Sequence, residues 1–146
     1  MKPQILVPFD FSDGARRALA WAADLHATTG GRPLHMVNAI SSLPPGPPDL
    51  PVELVLPNQD EIAQLKRRMV EEEAKHGATA TAEVAIRGST LGDAILDVAK
   101  AKEAELIVMG THGRTGVKRL FLGSVAEHVL RHADCPVVTI RGHRLA

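Results

Sequence analysis

The residues best suited to chemistry lie together at positions 110 to 124, GTHGRTGVKRLFLGS, which hold four glycines and three strongly basic side chains directly after the apolar run Leu106-Ile107-Val108-Met109. Glycines such as Gly110, Gly113 and Gly116 open backbone conformations closed to other residues and let main-chain amides come close to an anion. Ser124 falls where a helix should begin, and unpaired amides with the positive end of the helix dipole favour phosphate there. Arg114, Lys118 and Arg119 add positive charge. Neither Gly-x-x-x-x-Gly-Lys-Ser/Thr nor Gly-x-Gly-x-x-Gly occurs in any register, so a Walker-type NTPase and a Rossmann dehydrogenase both lose support. A second element is Asp10, at the end of ILVPFD, whose carboxylate either accepts hydrogen bonds from sugar hydroxyls or shares the capping of the first helix with Ser12.

Other reactive side chains form weaker patterns. His128 and His132 are four apart, which puts two imidazoles on one helix face, yet no glutamate follows His128 and no third ligand is evident, so a surface pair is expected in place of a zinc site. His112 lies inside the loop, where phosphate contact and a structural hydrogen bond are both open. Cys135 sits near His132 and Asp134, but nothing nearby lowers its pKa or supplies an oxyanion site, so a half-buried thiol is expected in place of a nucleophile.

Composition bounds the class. The 146 residues are the length of one domain, 45% are hydrophobic and 23% charged, and 17 basic residues balance 17 acidic ones. That describes a globular chain and argues against nucleic-acid binding, which needs a basic footprint and aromatic platforms, whereas aromatics are 3% and tyrosine is absent. The N-terminus lacks the apolar core of an export signal, no membrane-length apolar run occurs, and the single cysteine cannot form an intramolecular disulfide, so a cytoplasmic location is expected.

The elements that must position the loop alternate. Aliphatic runs at Gln4 to Phe9, Leu34 to Ile40, Thr81 to Ile86, Glu105 to Met109 and Pro136 to Ile140 read as strands, several of them apolar on consecutive positions, as in a sheet covered on both faces. Helical periodicity separates them. The first helix should start at Ser12 and turn Ala15, Ala18, Leu19, Ala22 and Leu25 inward before Gly30-Gly31. The second should open on Asn58 with Glu61 in capping-box spacing, bury Ile62, Leu65 and Met69, and stop at Gly77. A third from Ser89 or Thr90 should bury Leu91, Ile95 and Val98, and a fourth after Gly123-Ser124 should bury Val125, Val129 and Leu130. Residues 41 to 57 carry six prolines and are expected to be an excursion, neither helix nor central strand. The sum is an α/β fold of three layers, a five-stranded parallel sheet in the order 3-2-1-4-5 within a single domain over 1–146, with Pro8, Phe9 and Asp10 facing Met109 and Gly110 across the switch point.

Gly110-x-x-Gly113, nine residues, then Gly123-Ser124 resembles the signature of the universal stress protein family in its ATP-binding branch. ILVPFDFS, LHMVNA, IVMGTHG and CPVVTIR are similar to family segments too, so the likeness spans essentially the whole chain. The resemblance implies an adenine nucleotide alpha hydrolase-like fold and binding of ATP, or of ADP or AMP, with Mg2+ or Mn2+ on the phosphates. It implies that Asp10 contacts the ribose, that Pro8 and Phe9 border the pocket, and that Met36 lies against adenine. Gly110, Gly113, Gly123, Ser124 and Val125 match its phosphate and ribose positions, with Met109 and Arg114 nearby.

The function expected from this is an ATP-binding stress-response protein acting as a nucleotide-dependent regulatory or adaptor module, with slow or no hydrolysis. Efficient phosphoryl transfer needs a placed base, a metal carboxylate and transition-state cations, for which only Asp10 and the loop cations are candidates. The rivals are an ATP-dependent hydrolase or nucleotidyl transferase on the same sheet and a nucleotide-free structural dimer. The last strand is a sheet edge suited to symmetric pairing, so a homodimer is expected, with no nucleic-acid or membrane partner.

Overall fold

A computed structural model describes residues 4–44, 46, 47, 49, 53–112 and 122–142. Nine elements alternate along the chain: β1 (Gln4–Pro8), α1 (Asp13–Thr28), β2 (Leu34–Ser41), α2 (Gln59–Ala74), β3 (Ala80–Arg87), α3 (Leu91–Ala101), β4 (Ala104–Gly110), α4 (Ser124–His132) and β5 (Val137–Ile140). The strands form one sheet in the order β3-β2-β1-β4-β5, every neighbouring pair parallel. The expected order is therefore observed, and β1 and β4 meet at the switch point.

Helices cover both faces. Ile5 and Val7 of β1 and Phe9 just beyond it join Leu34, Met36 and Val108 under α1 and α2, while Leu6, Val37, Ile107 and Met109 pack on the opposite face under α3 and α4. Burial on both sides explains why these strands read as continuous apolar runs. Each such aliphatic side chain contributes about 1.5–3 kcal/mol when fully enclosed.

Local signals set the helix starts. Ser12 Oγ accepts from the Ala15 amide at 3.2 Å, Thr90 Oγ1 from the Asp93 amide at 3.2 Å, and Asn58 with Glu61 closes a reciprocal capping box. Gly30, Gly31 and Gly77 take φ values of 79°, 80° and 72° where α1 and α2 end.

Two residues expected to face inward are exposed, and others are only half-buried. Leu91 is 38% exposed and Leu130 is 42% exposed; α3 buries Gly92, Ala94, Ile95, Val98 and Ala99, and α4 buries Ala126 and Val129, with Val125 half-buried. Leu91 is the first residue beyond the Thr90 cap, where the helix has not yet turned its stripe onto the sheet. In α2 only Met69 and Glu73 are buried, and Ile62 and Leu65 are half-buried, because this helix lies against β3, the open edge of the sheet. Among the described residues no helix is long and apolar enough to cross a membrane.

Candidate functional site

The C-terminal end of β1 is a tight elbow. Pro8 is buried and Phe9 is 2% exposed. The Phe9 amide donates to the Val37 carbonyl at 2.8 Å and its own carbonyl accepts from Asn38 Nδ2 at 2.9 Å. Asp10 is half-buried, and its Oδ1 accepts from the Ser12 amide at 3.0 Å, so the carboxylate does take part in starting α1. Between them Phe11 adopts φ 65°, a left-handed conformation that costs a residue with a side chain about 1–2 kcal/mol. Contacts hold it there: the Arg16 guanidinium donates to the Phe11 carbonyl, the Phe11 ring meets Phe9 edge-on at 5.0 Å, and Arg68 stands 4.2 Å from the Phe11 ring centre. Arg16 also bonds both Glu72 oxygens at 3.4 Å. Burial raises the Glu72 carboxyl, but hydrogen bonds from Arg16 and Lys75 outweigh it and leave the pKa below the ordinary carboxylate value.

The end of β4 comes against the first turn of α1. A Cβ placed on Gly110 would lie 2.8 Å from the Gly14 carbonyl carbon and 3.1 Å from the Ala15 nitrogen, and one on Gly14 would lie 3.3 Å from the His112 oxygen. Gly110 is not in the left-handed region. Its missing side chain serves close packing of two backbones, and the left-handed conformation open to glycine is not used here. Beyond it, the Thr111 amide donates to the Ile140 carbonyl at 2.9 Å and the Thr111 carbonyl accepts from the Gly123 amide at 2.7 Å. A Cβ on Gly123 would sit 2.9 Å from that same carbonyl oxygen. These contacts draw β4, β5, α1 and α4 together at one end of the sheet.

At α4 the helix begins without help from a side chain. Gly123 is the N-cap and makes no side-chain cap bond, in contrast to Ser12, Asn58 and Thr90 at the other helices. The Glu127 amide donates to the Gly123 carbonyl at 2.9 Å, so the amides of Ser124, Val125 and Ala126 have no intrahelical acceptor. Ser124 is exposed and Val125 half-buried. His112 lies beside this end, its Nδ1 3.1 Å from Thr111 Oγ1 and its Nε2 buried without a partner among the described residues. Three amides aimed outward at the positive end of a helix dipole suit a negatively charged oxygen group.

Other predicted positions fall as follows. Met109 is 5% exposed and faces α3 and α4, while Met36, paired in register with Val7, is fully enclosed in the α1 and α2 core. Gly113 and Arg114, with Gly116, Lys118 and Arg119, lie outside the described residues. His128 reaches across to α3, its Nε2 2.7 Å from Asp93 Oδ1, and its ring packs on His132 at 4.6 Å. Cys135 is half-buried, and burial together with the Asp134 charge pushes its thiol above the ordinary value, the opposite of an activated nucleophile. Asn38 and Phe11 escaped the sequence reading. An asparagine inside the apolar strand LHMVNAI was the available signal for the first; Phe11 offered none.

A doubly wound parallel sheet whose β1 and β4 lie side by side at the switch point has the architecture in which open α/β proteins place a crevice-type site. A sequence profile described as the universal stress protein family matches residues 1–141, and the chain belongs to that family. A universal stress protein from Thermus aquaticus, encoded in the QAH/OAS sulfhydrylase 3' region, is 36% identical over 137 residues, 94% of this chain and 97% of that protein. Universal stress protein MJ0531 from Methanocaldococcus jannaschii is 53% identical over 47 residues, 32% of this chain and 28% of the relative's length. The solved structure of the Archaeoglobus fulgidus universal stress protein in complex with dAMP superposes with a TM-score of 0.68 at 26% identity, covering 96% of this chain and 98% of that one.

Proposed function

We propose that this chain is an ATP-binding universal stress protein that works as a nucleotide-dependent regulatory or adaptor module, with hydrolysis slow or absent. The observation that carries the reading is the N-terminus of α4, where Ser124, Val125 and Ala126 present amides beyond a glycine that supplies no cap. Phosphate oxygens satisfy such amides. Asp10, at the neighbouring strand end, accepts hydrogen bonds from ribose hydroxyls; adenine lies over the ends of β1 and β2, bordered by Pro8 and Phe9, while Met36, enclosed in the core, is withdrawn from the expected adenine contact. Gly113 and Arg114 complete the phosphate contacts, and a divalent Mg2+ or Mn2+ sits on the phosphate oxygens. The relative from Archaeoglobus fulgidus, whose structure holds dAMP, supports an adenine nucleotide as the ligand class.

In this reading residues 1–146 are one cytoplasmic domain. Two copies pair through β5, where Val137, Val138, Thr139 and Ile140 are half-buried at the sheet edge. Mechanistically the chain's own groups bind and orient: amides take the phosphates, Asp10 fixes the sugar, and enclosure of Phe9 and Met109 keeps the strand ends rigid beneath them.

The test is to denature the purified protein, identify any released nucleotide by chromatography, and titrate nucleotide-free material with ATP and magnesium by calorimetry. Binding is expected, weakened about tenfold to a hundredfold in Asp10→Ala by loss of hydrogen bonds to a charged group. Protein that releases no nucleotide and gives no binding heat with ATP refutes the proposal.

A further inference from the structure

We infer that Phe11 is the positioning residue for Asp10: its left-handed backbone aims the carboxylate at the ligand, and its ring, clasped by Phe9 and Arg68, holds that aim. The inference rests on the nucleotide-binding reading. At φ 65° Phe11 occupies a conformation that glycine or asparagine takes readily and a bulky aromatic residue rarely does. Starting a helix does not demand it. The caps of α2 and α3, Asn58 and Thr90, take extended φ values of −79° and −66°, and no left-handed residue precedes either helix within its connection's last turn. At the β1 end the conformation folds the chain back on itself, so that the Ser12 amide reaches Asp10 Oδ1 at 3.0 Å and fixes the rotation of the carboxylate.

Such a conformation persists only where the surroundings over-determine it, and here three do. The Phe11 carbonyl is held by Arg16 of α1, the ring edge packs on Phe9 at 5.0 Å, and the Arg68 guanidinium of α2 stands 4.2 Å from the ring centre. The side chain is thus the part that stabilises an otherwise unfavourable turn, and α2 is the element that clamps it. Replacing it by glycine keeps the turn accessible but removes the clasp, loosening the turn that brings the Ser12 amide to Asp10.

The experiment compares ATP with 2',3'-dideoxy-ATP, which lacks the hydroxyls that Asp10 is read to hold. Wild-type protein should prefer ATP by about tenfold or more, as expected for hydrogen bonds to a charged acceptor. Phe11→Gly should lose most of that preference while binding dideoxy-ATP nearly as well as wild type. In an Asp10→Ala background the same substitution should change nothing further. Phe11→Tyr, which keeps the ring, should restore the preference. Arg68→Met, on the exposed side of the clasp, should lose part of it and serves as the second variant if Phe11→Gly does not fold. A merely structural role predicts equal weakening for both nucleotides and an effect additive with Asp10→Ala; either result, or a preference unchanged in Phe11→Gly and Arg68→Met, overturns the inference alone. Wild-type protein that binds neither nucleotide overturns the nucleotide reading as well.

Discussion

Replacing Gly110 with alanine separates two roles for the glycine that ends β4. If its function were to let an anion approach, the ligand-free protein would tolerate a methyl group there. The structure places that methyl 2.8 Å from the Gly14 carbonyl carbon and 3.1 Å from both the Ala15 nitrogen and the Gly14 Cα. Relaxed carbon contacts begin near 3.5 Å, so one backbone must retreat by about half an ångström or more. Neither can do so by rotating a side chain. The first turn of α1 carries the Ser12 cap, and β4 is paired on both sides by β1 and β5. Overpacking typically costs 1–3 kcal/mol, and two fixed backbones place Gly110→Ala at the upper end, about 3 kcal/mol. For a chain of this length that is a fall of about 10 °C in Tm. The assay is urea unfolding of nucleotide-free protein followed by circular dichroism. Gly88→Ala is the control, since its new Cβ would meet nothing nearer than Ser42 Oγ at 3.7 Å; it should stay within about 0.5 kcal/mol of wild type. A Gly110→Ala protein within about 1 kcal/mol of wild type would refute the packing argument.

Glu73 is 3% exposed, its Oε1 is buried without a partner among the described residues, and burial raises its pKa above the ordinary value, against smaller opposing pulls from the Ala80 backbone and from His26 and His76. With the folded value above the unfolded one, its contribution to stability is complete below the unfolded pKa of about 4.3 and is lost as pH rises through the folded pKa. Glu73→Gln should therefore match wild type at about pH 4 and gain on it toward pH 8 in urea midpoints; parallel pH curves would exclude this. A Cβ on Gly92 would lie 2.4 Å from His128 Cδ2, so Gly92→Ala should expel the imidazole from Asp93, whose carboxyl that hydrogen bond holds below its ordinary value. The substitution should lower the thermal midpoint, and the loss should largely vanish in a His128→Ala background; an additive cycle in thermal unfolding would contradict the contact.

What could be read from the residues in order was whatever depends on neighbours in the chain. Ser12, Asn58 with Glu61, and Thr90 cap helices through bonds that span three residues or fewer, and the alternation of aliphatic runs with helical stripes carries the sheet order because crossovers have one hand. The spacing from Gly110 to Ser124 marks the connection from β4 to α4 for the same reason. Tertiary structure alone decided the rest. Strands apolar on consecutive positions hide which face each side chain takes, so the enclosure of Met36 on the α1 side was not legible in LHMVNAI. The partner of a missing side chain is invisible in a sequence, and so Gly110 turned out to face the backbone of α1, and Gly92 the ring of His128. Phe11 is the sharpest case: local preference argues against a left-handed phenylalanine, and only contacts from α1 and α2, five to some sixty positions away, supply the energy that holds it there.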